Sequence, residues 1–199
     1  MSNECHNPAG DPTGGQFCSD PQGGGGGGNP SEPTVEEELG IKAYTDHDYH
    51  KINMWLREYG PGNAEDLHST IEHTIARLDS YFNHVQLDKD TTVWRGMSDY
   101  ALKKLGPLAT GTVYQDKGFV STSRDHQWAA SNALYQSGSD AASVLWEIRL
   151  PKGSRAADVS RYSNVRKEQE VLISRNSKFK IVGVTQTPKG TRIKAEYAP

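Results

Sequence analysis

The chain changes from helical to strand periodicity at Thr91-Thr-Val-Trp-Arg-Gly96. Before this stretch, apolar residues recur every three or four positions, as they do on one face of a helix. After it, β-branched and aromatic residues gather in short runs bounded by Gly, Pro, Asn and Asp. The sequence therefore predicts an α+β fold, with an N-terminal helical layer followed by a mostly antiparallel, two-layered β core. The clearest helical run is Leu67, Ile71, Ile75, Leu78 and Phe82.

Capping signals mark the helices of the first half. Thr34-Val-Glu-Glu37 has the form of a capping box, in which the first and last side chains each bind a backbone N–H of the other's turn. Thr45-Asp46 predicts a second N-cap, and Gly60-Pro-Gly62 ends that helix. The apolar positions between them are Tyr49, Ile52 and Leu56.

The second half of the chain predicts short strands and two further helices. Ser98 caps a brief helix that ends at Gly106-Pro107, and Ser123-Arg-Asp125 opens another. The turn Asp116-Lys-Gly118 is typical of a hairpin between the second and third strands. The predicted strands are Thr91–Trp94, Val113-Tyr114, Phe119–Thr122, Ser143–Leu150, Glu170–Ile173, Lys178–Gln186 and Thr191–Tyr197.

Residues 1–33 differ in composition from the rest. They hold nine of the 20 glycines, including the run Gly23 to Gly28, five of the 10 prolines and both cysteines. We interpret them as a disordered tail and linker, followed by one domain at residues 34–199. Cys5, His6 and Cys18 lack a second paired motif, so we expect no metal site.

Charge and hydropathy exclude several classes of protein. Residues 34–199 hold 22 basic and 21 acidic side chains, whereas a general nucleic-acid binder concentrates positive charge. No apolar run approaches the roughly 20 residues that span a bilayer, and no signal peptide begins the chain. We therefore expect neither a membrane nor a nucleic-acid partner, and a cytoplasmic, virion-carried or host-delivered protein.

Three short clusters could carry chemistry. Trp94-Arg-Gly96 places a guanidinium, which can grip a pyrophosphate, beside a glycine that permits close approach; pairing with a carboxylate is the structural alternative. Gly118-Phe-Val-Ser-Thr-Ser123 ends a strand in three hydroxyls, which could line a site or serve as a helix cap. In an extended Glu168-Gln-Glu170, both carboxylates would face the same way and suit chemistry at an anomeric carbon; a solvated charged turn is the alternative.

Taken in this order, the clusters resemble the toxin-type mono-ADP-ribosyltransferases of the Arg-Ser-Glu class. The likeness extends from about Glu36 to the C-terminus. The resemblance implies the α+β fold of that family and NAD as a substrate, with no metal. Other similar segments are Tyr44-Thr45, Tyr49, Ile52-Asn53, Leu56-Arg57, Leu150-Pro-Lys-Gly153, Glu170–Ile173 and Lys178–Ile181.

The resemblance also implies a role for each matching residue. Arg95 would hold the NAD phosphates, and the Gly96 backbone would approach the nicotinamide amide. Ser121 would orient Glu170, which stabilises the cation formed as nicotinamide leaves, and Glu168 would activate the nucleophile. Further NAD contacts would come from Thr122, Ser123, Tyr44 and Asn53.

An arginine acceptor fits the first acidic position. In the family, Glu at that position accompanies arginine acceptors, and a carboxylate such as Glu168 can hold a guanidinium and take its proton. The loop Ser160–Val165 would face the substrate through Tyr162, unless Tyr162 is only a surface residue. The helix after Ser123 offers Trp128 but, after Arg124, lacks the arginine that many members use to grip NAD.

The expected activity is therefore transfer of ADP-ribose from NAD to protein arginine. An NAD glycohydrolase and a non-catalytic binding or assembly module of the same fold remain alternatives. Residues 7–18 resemble glycine-rich ends of tailed-phage head proteins, which implies a phage-encoded toxin-like enzyme for host takeover; an effector secreted by another route suits the chain equally.

Overall fold

A computed structural model describes residues 32–58, 69–98, 108–137, 143–163 and 166–198. Its four helices are α1 (Val35–Ala43), α2 (Tyr49–Glu58), α3 (Ser69–His84) and α4 (His126–Ser137). Its eight strands are β1 (Thr91–Ser98), β2 (Val113–Asp116), β3 (Val120–Ser123), β4 (Ser143–Leu150), β5 (Ala156–Asp158), β6 (Glu170–Ile173), β7 (Ser177–Thr187) and β8 (Gly190–Ala198). Residues 1–31 of the predicted tail, the Gly60-Pro-Gly62 stop and the helix predicted between Ser98 and Pro107 lie outside the described residues, apart from Ser98 itself, which ends β1.

The helical layer begins as the sequence predicts. The Glu37 backbone N–H donates to the Thr34 hydroxyl at 3.3 Å, and the Thr34 N–H donates to the Glu37 carboxylate at 2.9 Å. These two bonds are the predicted capping box, and they satisfy two N–H groups that a helix start leaves without partners.

The predicted N-cap at Thr45 is wrong. A π-helical turn, Tyr44–Asp48, runs directly from α1 into α2, and the Thr45 hydroxyl donates back to the Lys42 carbonyl at 3.3 Å. The continuous helix rotates Tyr49 outward, where it is half exposed, while Ile52 and Leu56 enter the core as predicted. A π-helical turn is uncommon and often occurs beside functional sites.

The eight strands form one mixed sheet in the order β2-β7-β8-β4-β1-β3-β6-β5. Only β4 and β8 are parallel neighbours, so the sheet is mostly antiparallel, as expected. The hairpin predicted at Asp116-Lys-Gly118 is wrong, because β2 pairs with β7 while β3 pairs with β1 and β6. The short strand β5, which the sequence analysis missed, closes the edge beside β6.

Two apolar cores flank the centre of the sheet. The first joins the helical layer to the face that carries Phe119 and Leu172. The second includes Val93 and Met97 of β1 and extends to β7 and β8. No helix in the described part of the chain is long and apolar enough to cross a membrane. The strands β1, β3 and β6 lie side by side in one half of the sheet, with β5 alone between β6 and that edge.

Candidate active site

Arg95 lies in the middle of β1, opposite Trp146 of β4. Its Nη1 atom is buried and has no hydrogen-bond partner among the residues that the structure describes. An unsatisfied buried N–H costs about 1 to 3 kcal/mol, so this position favours an anionic ligand. The planar donor fork of a guanidinium matches a phosphate, and the diphosphate of NAD fits this requirement.

Gly96 provides room for helix α4. A Cβ at this position would lie 2.1 Å from the Ala129 carbonyl oxygen and 2.6 Å from the Ala133 nitrogen. Every larger residue would therefore push α4 away from β1. Helix packing accounts for this glycine without the nicotinamide contact that the resemblance implied.

The β3–β6 ladder brings Ser121 to Glu170. The ladder pairs Ser121 with Leu172 and Ser123 with Glu170, so Ser121 and Glu170 lie two positions apart on one face. The Ser121 hydroxyl forms a hydrogen bond with the Glu170 carboxylate. Glu170 itself is only 5% exposed. The structure thus brings together the serine and the second glutamate that the sequence singled out.

Glu168 reaches the same site by a route that the sequence did not predict. Residues Arg166–Glu168 form one turn of 3₁₀ helix, and Gln169 has a φ of 48° in the left-handed region. Of the two alternatives that the sequence left open, the extended Glu168-Gln-Glu170 segment is therefore wrong, because the chain turns at Gln169 and only Glu170 belongs to β6. The two carboxylates still interact, since the charge of Glu168 raises the pKa of Glu170.

The hydroxyls of Thr122 and Ser123 bind backbone rather than line an open pocket. Thr122 is buried and donates to the Val171 carbonyl at 2.5 Å. Ser123 is buried and donates to the Glu168 carbonyl at 2.5 Å. Both contacts fasten β3 to the segment that carries the two glutamates, and the NAD contacts of these residues stay a prediction.

Burial raises the pKa of both carboxyl groups. Burial, together with the charge of Glu168, raises the pKa of Glu170 to about 7, and the hydrogen bond from Ser121 offsets part of that rise. Burial also raises the pKa of Glu168, while the Trp128 indole N–H lowers it. The indole nitrogen is buried beside Glu168 without a hydrogen bond of good geometry. Perturbed carboxyl pairs of this kind are typical of active sites.

Trp128 is the residue whose link to Glu168 the sequence analysis missed. It lies in the first turn of α4, and the Asp125 carboxylate caps that turn by accepting the Gln127 and Trp128 backbone N–H groups at 2.8 and 3.1 Å. Trp128 and Glu168 are far apart in the sequence, so no local motif predicts their contact. Arg124, which precedes this turn, pairs with Asp158 at 2.6 Å.

Tyr44 and Asn53 are buried and face protein groups. Tyr44 has no exposed surface, and its hydroxyl lies 3.3 Å from the Ser121 hydroxyl. Asn53 is 5% exposed and donates to the Tyr44 hydroxyl at 2.8 Å. Tyr44 therefore presents no surface to a ligand, and the NAD contact expected of Asn53 stays a prediction.

Tyr162 packs against the helical layer. The Arg161 guanidinium lies 4.7 Å from the centre of its ring, and Tyr162 acts electrostatically on Tyr81 of α3 and Lys42 of α1. Residues 164 and 165 of the same predicted loop lie outside the described part. The structure therefore places Tyr162 beside the helices, and its contact with a substrate stays a prediction.

The mostly antiparallel sheet and its helical layer agree with the fold of ADP-ribosyltransferase toxins. Residues 28–197 match the model of the ADP-ribosyltransferase exoenzyme family, so the chain belongs to that family. Its members transfer ADP-ribose and use NAD as the donor substrate. This membership agrees with the family resemblance that the sequence clusters carry.

Comparison with individual proteins supports the assignment. An NAD(+)–arginine ADP-ribosyltransferase of Enterococcus faecalis is 27% identical over 148 residues, which are 73% of this chain and 28% of that protein. The present chain thus spans less than a third of its curated relative. The fold is similar to Plx2a, an ADP-ribosyltransferase toxin of Paenibacillus larvae, with a TM-score of 0.66, 22% identity and coverage of 84% and 88% of the two chains. It is also similar to the Vibrio splendidus Vis toxin in complex with agmatine, with a TM-score of 0.67, 24% identity and coverage of 83% and 75%.

Proposed function

We propose that this protein transfers ADP-ribose from NAD to arginine side chains of target proteins and releases nicotinamide. The observation that carries the proposal is the interaction of the partly buried Glu168 with the buried Glu170 beside Ser121. The curated relative acts on arginine, and the Vis toxin binds agmatine, a guanidinium compound. Both comparisons support arginine as the acceptor here.

The two carboxylates have different tasks in this reaction. The bond between the nicotinamide nitrogen and the ribose C1′ breaks and leaves positive charge on the ribose. An ionised Glu170 stabilises that charge, and its buried position strengthens the interaction. The Arg95 guanidinium holds the diphosphate of the donor and so fixes the ribose near Glu170.

Glu168 acts on the acceptor. A guanidinium has a pKa above 12 and presents no free lone pair until it loses a proton. The Glu168 carboxylate accepts a forked hydrogen bond from the guanidinium and takes its proton as the new bond to C1′ forms. Burial raises the pKa of Glu168, which makes this carboxylate a better proton acceptor than a solvated one.

Two isosteric variants test this division of labour. Purified protein is incubated with labelled NAD and agmatine or a bacterial lysate, and nicotinamide release is measured beside arginine-linked adducts. We expect Glu170→Gln to abolish both signals, and Glu168→Gln to abolish transfer while leaving part of the NAD hydrolysis. A matched control is Glu147→Gln, since Glu147 is exposed on β4 and pairs with Lys194 at 3.5 Å.

Each outcome has a distinct meaning. Equal loss of both signals in Glu168→Gln would overturn the separate roles. Nicotinamide release without any guanidinium adduct would favour an NAD glycohydrolase. No NAD turnover by the wild-type protein would favour a binding or assembly module of the same fold.

A further inference from the structure

Four side chains from four elements form a continuous hydrogen-bonded chain that ends at Glu170. Asn53 of α2 bonds to Tyr44 of the π-helical turn at 2.8 Å, and Tyr44 bonds to Ser121 of β3 at 3.3 Å. Ser121 lies on the same face of the β3–β6 ladder as Glu170, and its hydroxyl, as a hydrogen-bond donor, lowers the pKa of that carboxyl. Asn53, Glu170 and Tyr44 are each 5% exposed or less. Water therefore cannot freely replace the bond between Asn53 and Tyr44.

The Asn53 amide fixes the direction of the first bond. Its Oδ1 atom accepts the Phe119 backbone N–H at 2.9 Å, so its Nδ2 atom faces the Tyr44 hydroxyl. An amide nitrogen only donates, so the Tyr44 oxygen is the acceptor and the Tyr44 hydrogen points elsewhere. Its two possible acceptors are the Ser121 hydroxyl at 3.3 Å and the Phe119 carbonyl at 3.4 Å.

The ionised Glu170 fixes the direction of the last bond. A carboxylate only accepts, so the Ser121 hydroxyl must donate to Glu170. The Ser121 oxygen is then an acceptor toward Tyr44. The Ser121 oxygen, at 3.3 Å, is the nearer of the two acceptors open to the Tyr44 hydrogen. When Tyr44 donates to it, all three bonds donate toward Glu170, and each donor polarises the next.

Resting on the proposed transferase function, we infer that Tyr44 and Asn53 are positioning residues that stabilise the ionised form of Glu170 through Ser121, rather than contacts for NAD. The hydroxyl of Tyr44 stays protonated throughout the working range, because burial raises its pKa to about 12. Tyr44 therefore supplies a hydrogen bond and no charge.

Few charged groups act on this chain. Glu168, from the turn before β6, raises the pKa of Glu170. Arg95 of β1 lowers the pKa of the Tyr44 hydroxyl, whereas Glu170 raises it. On the neighbouring β5, Asp158 pairs with Arg124 at 2.6 Å. None of these groups is altered by removal of the Tyr44 hydroxyl, so a change in the Glu170 pKa would report on the hydrogen-bonded chain.

The direct test is a titration of Glu170 in the protein of residues 1–199 without NAD. Glutamate labelled with ¹³C at the side-chain carboxyl is followed by NMR against pH, and Glu170→Gln identifies the signal. We expect Tyr44→Phe to raise the Glu170 pKa by about 0.5 to 1 unit, because a donor to the charged form is weakened. The matched control is Tyr81→Phe, which removes a buried hydroxyl from α3 in the same core. An unchanged Glu170 pKa in Tyr44→Phe would overturn the inference.

Kinetics separate positioning from binding. In the NAD hydrolysis assay, Tyr44→Phe should move the acidic limb of the pH profile upward by the same amount, with the KM for NAD within about twofold of wild type. A raised KM with an unmoved limb would show that Tyr44 binds NAD and would refute the positioning role. Wild-type protein without NAD turnover would refute the proposed function, while the NMR titration would still decide the hydrogen-bonded chain.

A second variant covers the case in which Tyr44→Phe fails to fold. In Asn53→Leu, the leucine side chain is neutral, like that of asparagine, and similar to it in shape. The substitution removes the donor that fixes the direction of the Tyr44 hydroxyl. We expect the Glu170 pKa to rise in this variant too, by less than in Tyr44→Phe. A Glu170 pKa that stays at the wild-type value in Asn53→Leu would contradict the inference on its own.

Discussion

The Ser123 hydroxyl donates a 2.5 Å hydrogen bond to the backbone carbonyl of Glu168. The same hydroxyl oxygen accepts the Asp125 backbone N–H at 2.8 Å, just before helix α4 begins. One buried side chain therefore ties the start of α4 to the turn that presents Glu168. In addition, the Arg124 N–H donates to the Gln169 carbonyl at 3.1 Å, which extends this attachment by one residue.

Ser123→Ala should impair transfer more than hydrolysis. The variant frees the Glu168 turn, while Glu170 stays held in the β3–β6 ladder. We expect arginine transfer to fall about tenfold, as in the loss of one well-placed hydrogen bond, and NAD hydrolysis to fall less than threefold. Both rates are measured with labelled NAD and agmatine.

Ser174→Ala is the matched control for Ser123→Ala. Ser174 is a buried serine just beyond the other end of β6, and its hydroxyl lies 3.2 Å from that of Ser177. We expect this control to leave the ratio of transfer to hydrolysis at its wild-type value. A parallel fall of both rates in Ser123→Ala would mean that the hydroxyl stabilises the fold without positioning Glu168.

Arg95→Lys should weaken NAD binding. Lysine keeps the positive charge but loses the planar fork that can hold two phosphate oxygens. We expect the KM for NAD to rise about 10- to 100-fold, measured by nicotinamide release and checked by calorimetric binding. Arg149→Lys, at an exposed position on β4, is the control. Unchanged NAD affinity in Arg95→Lys would remove Arg95 from the donor site.

Local signals predicted most elements of the fold. The capping box at Thr34, the helical period of α3 and the β-branched and aromatic runs of β4, β7 and β8 are properties of neighbouring residues, and all three are confirmed. Strand partners depend on contacts distant in sequence. The turn Asp116-Lys-Gly118 looked like a hairpin, but Asp116 pairs with Arg57 of α2 at 2.9 Å, and the strands on its two sides separate.

The site was partly predictable for the same reason. Arg95, Ser121 and Glu170 belong to motifs whose residues are close in sequence, and the strand register then brings them near one another. The left-handed Gln169 and the contact of Trp128 with Glu168 have no local signal. The burial of Tyr44 follows from the uninterrupted path of α1 into α2, which the apparent N-cap at Thr45 concealed.

Gly96→Ala should destabilise the protein strongly. The added Cβ would lie 2.1 Å from the Ala129 carbonyl oxygen, which is backbone of α4 and cannot rotate away. Overpacking of this kind costs about 1 to 3 kcal/mol. We expect a lower Tm in thermal unfolding followed by circular dichroism. Gly111→Ala is a poor control because Gly111 has a φ of 95°, whereas Gly183→Ala meets only the Lys194 side chain at 3.9 Å. A Gly96→Ala variant as stable as Gly183→Ala would show that α4 adjusts freely.

Glu170→Gln should stabilise the protein at alkaline pH while it abolishes activity. The pKa of Glu170 is raised to about 7 in the folded protein from 4.5, its usual value. The folded state therefore binds this proton more tightly than the unfolded state, and stability falls as pH rises from about 4.5 through 7. A neutral glutamine avoids the burial of a charge, so the gain is absent at pH 4 and reaches at most about 3 kcal/mol above pH 8.

Urea unfolding of both proteins at pH 4 and at pH 8.5 measures this difference. Tyr81→Phe, a buried substitution without an acid–base change in this range, should show the same difference from wild type at both pH values. A Glu170→Gln gain that is equal at pH 4 and pH 8.5 would mean that packing, rather than charge burial, accounts for it. A gain confined to high pH would show that the folded protein retains a destabilising carboxylate at the position where the transfer reaction requires negative charge.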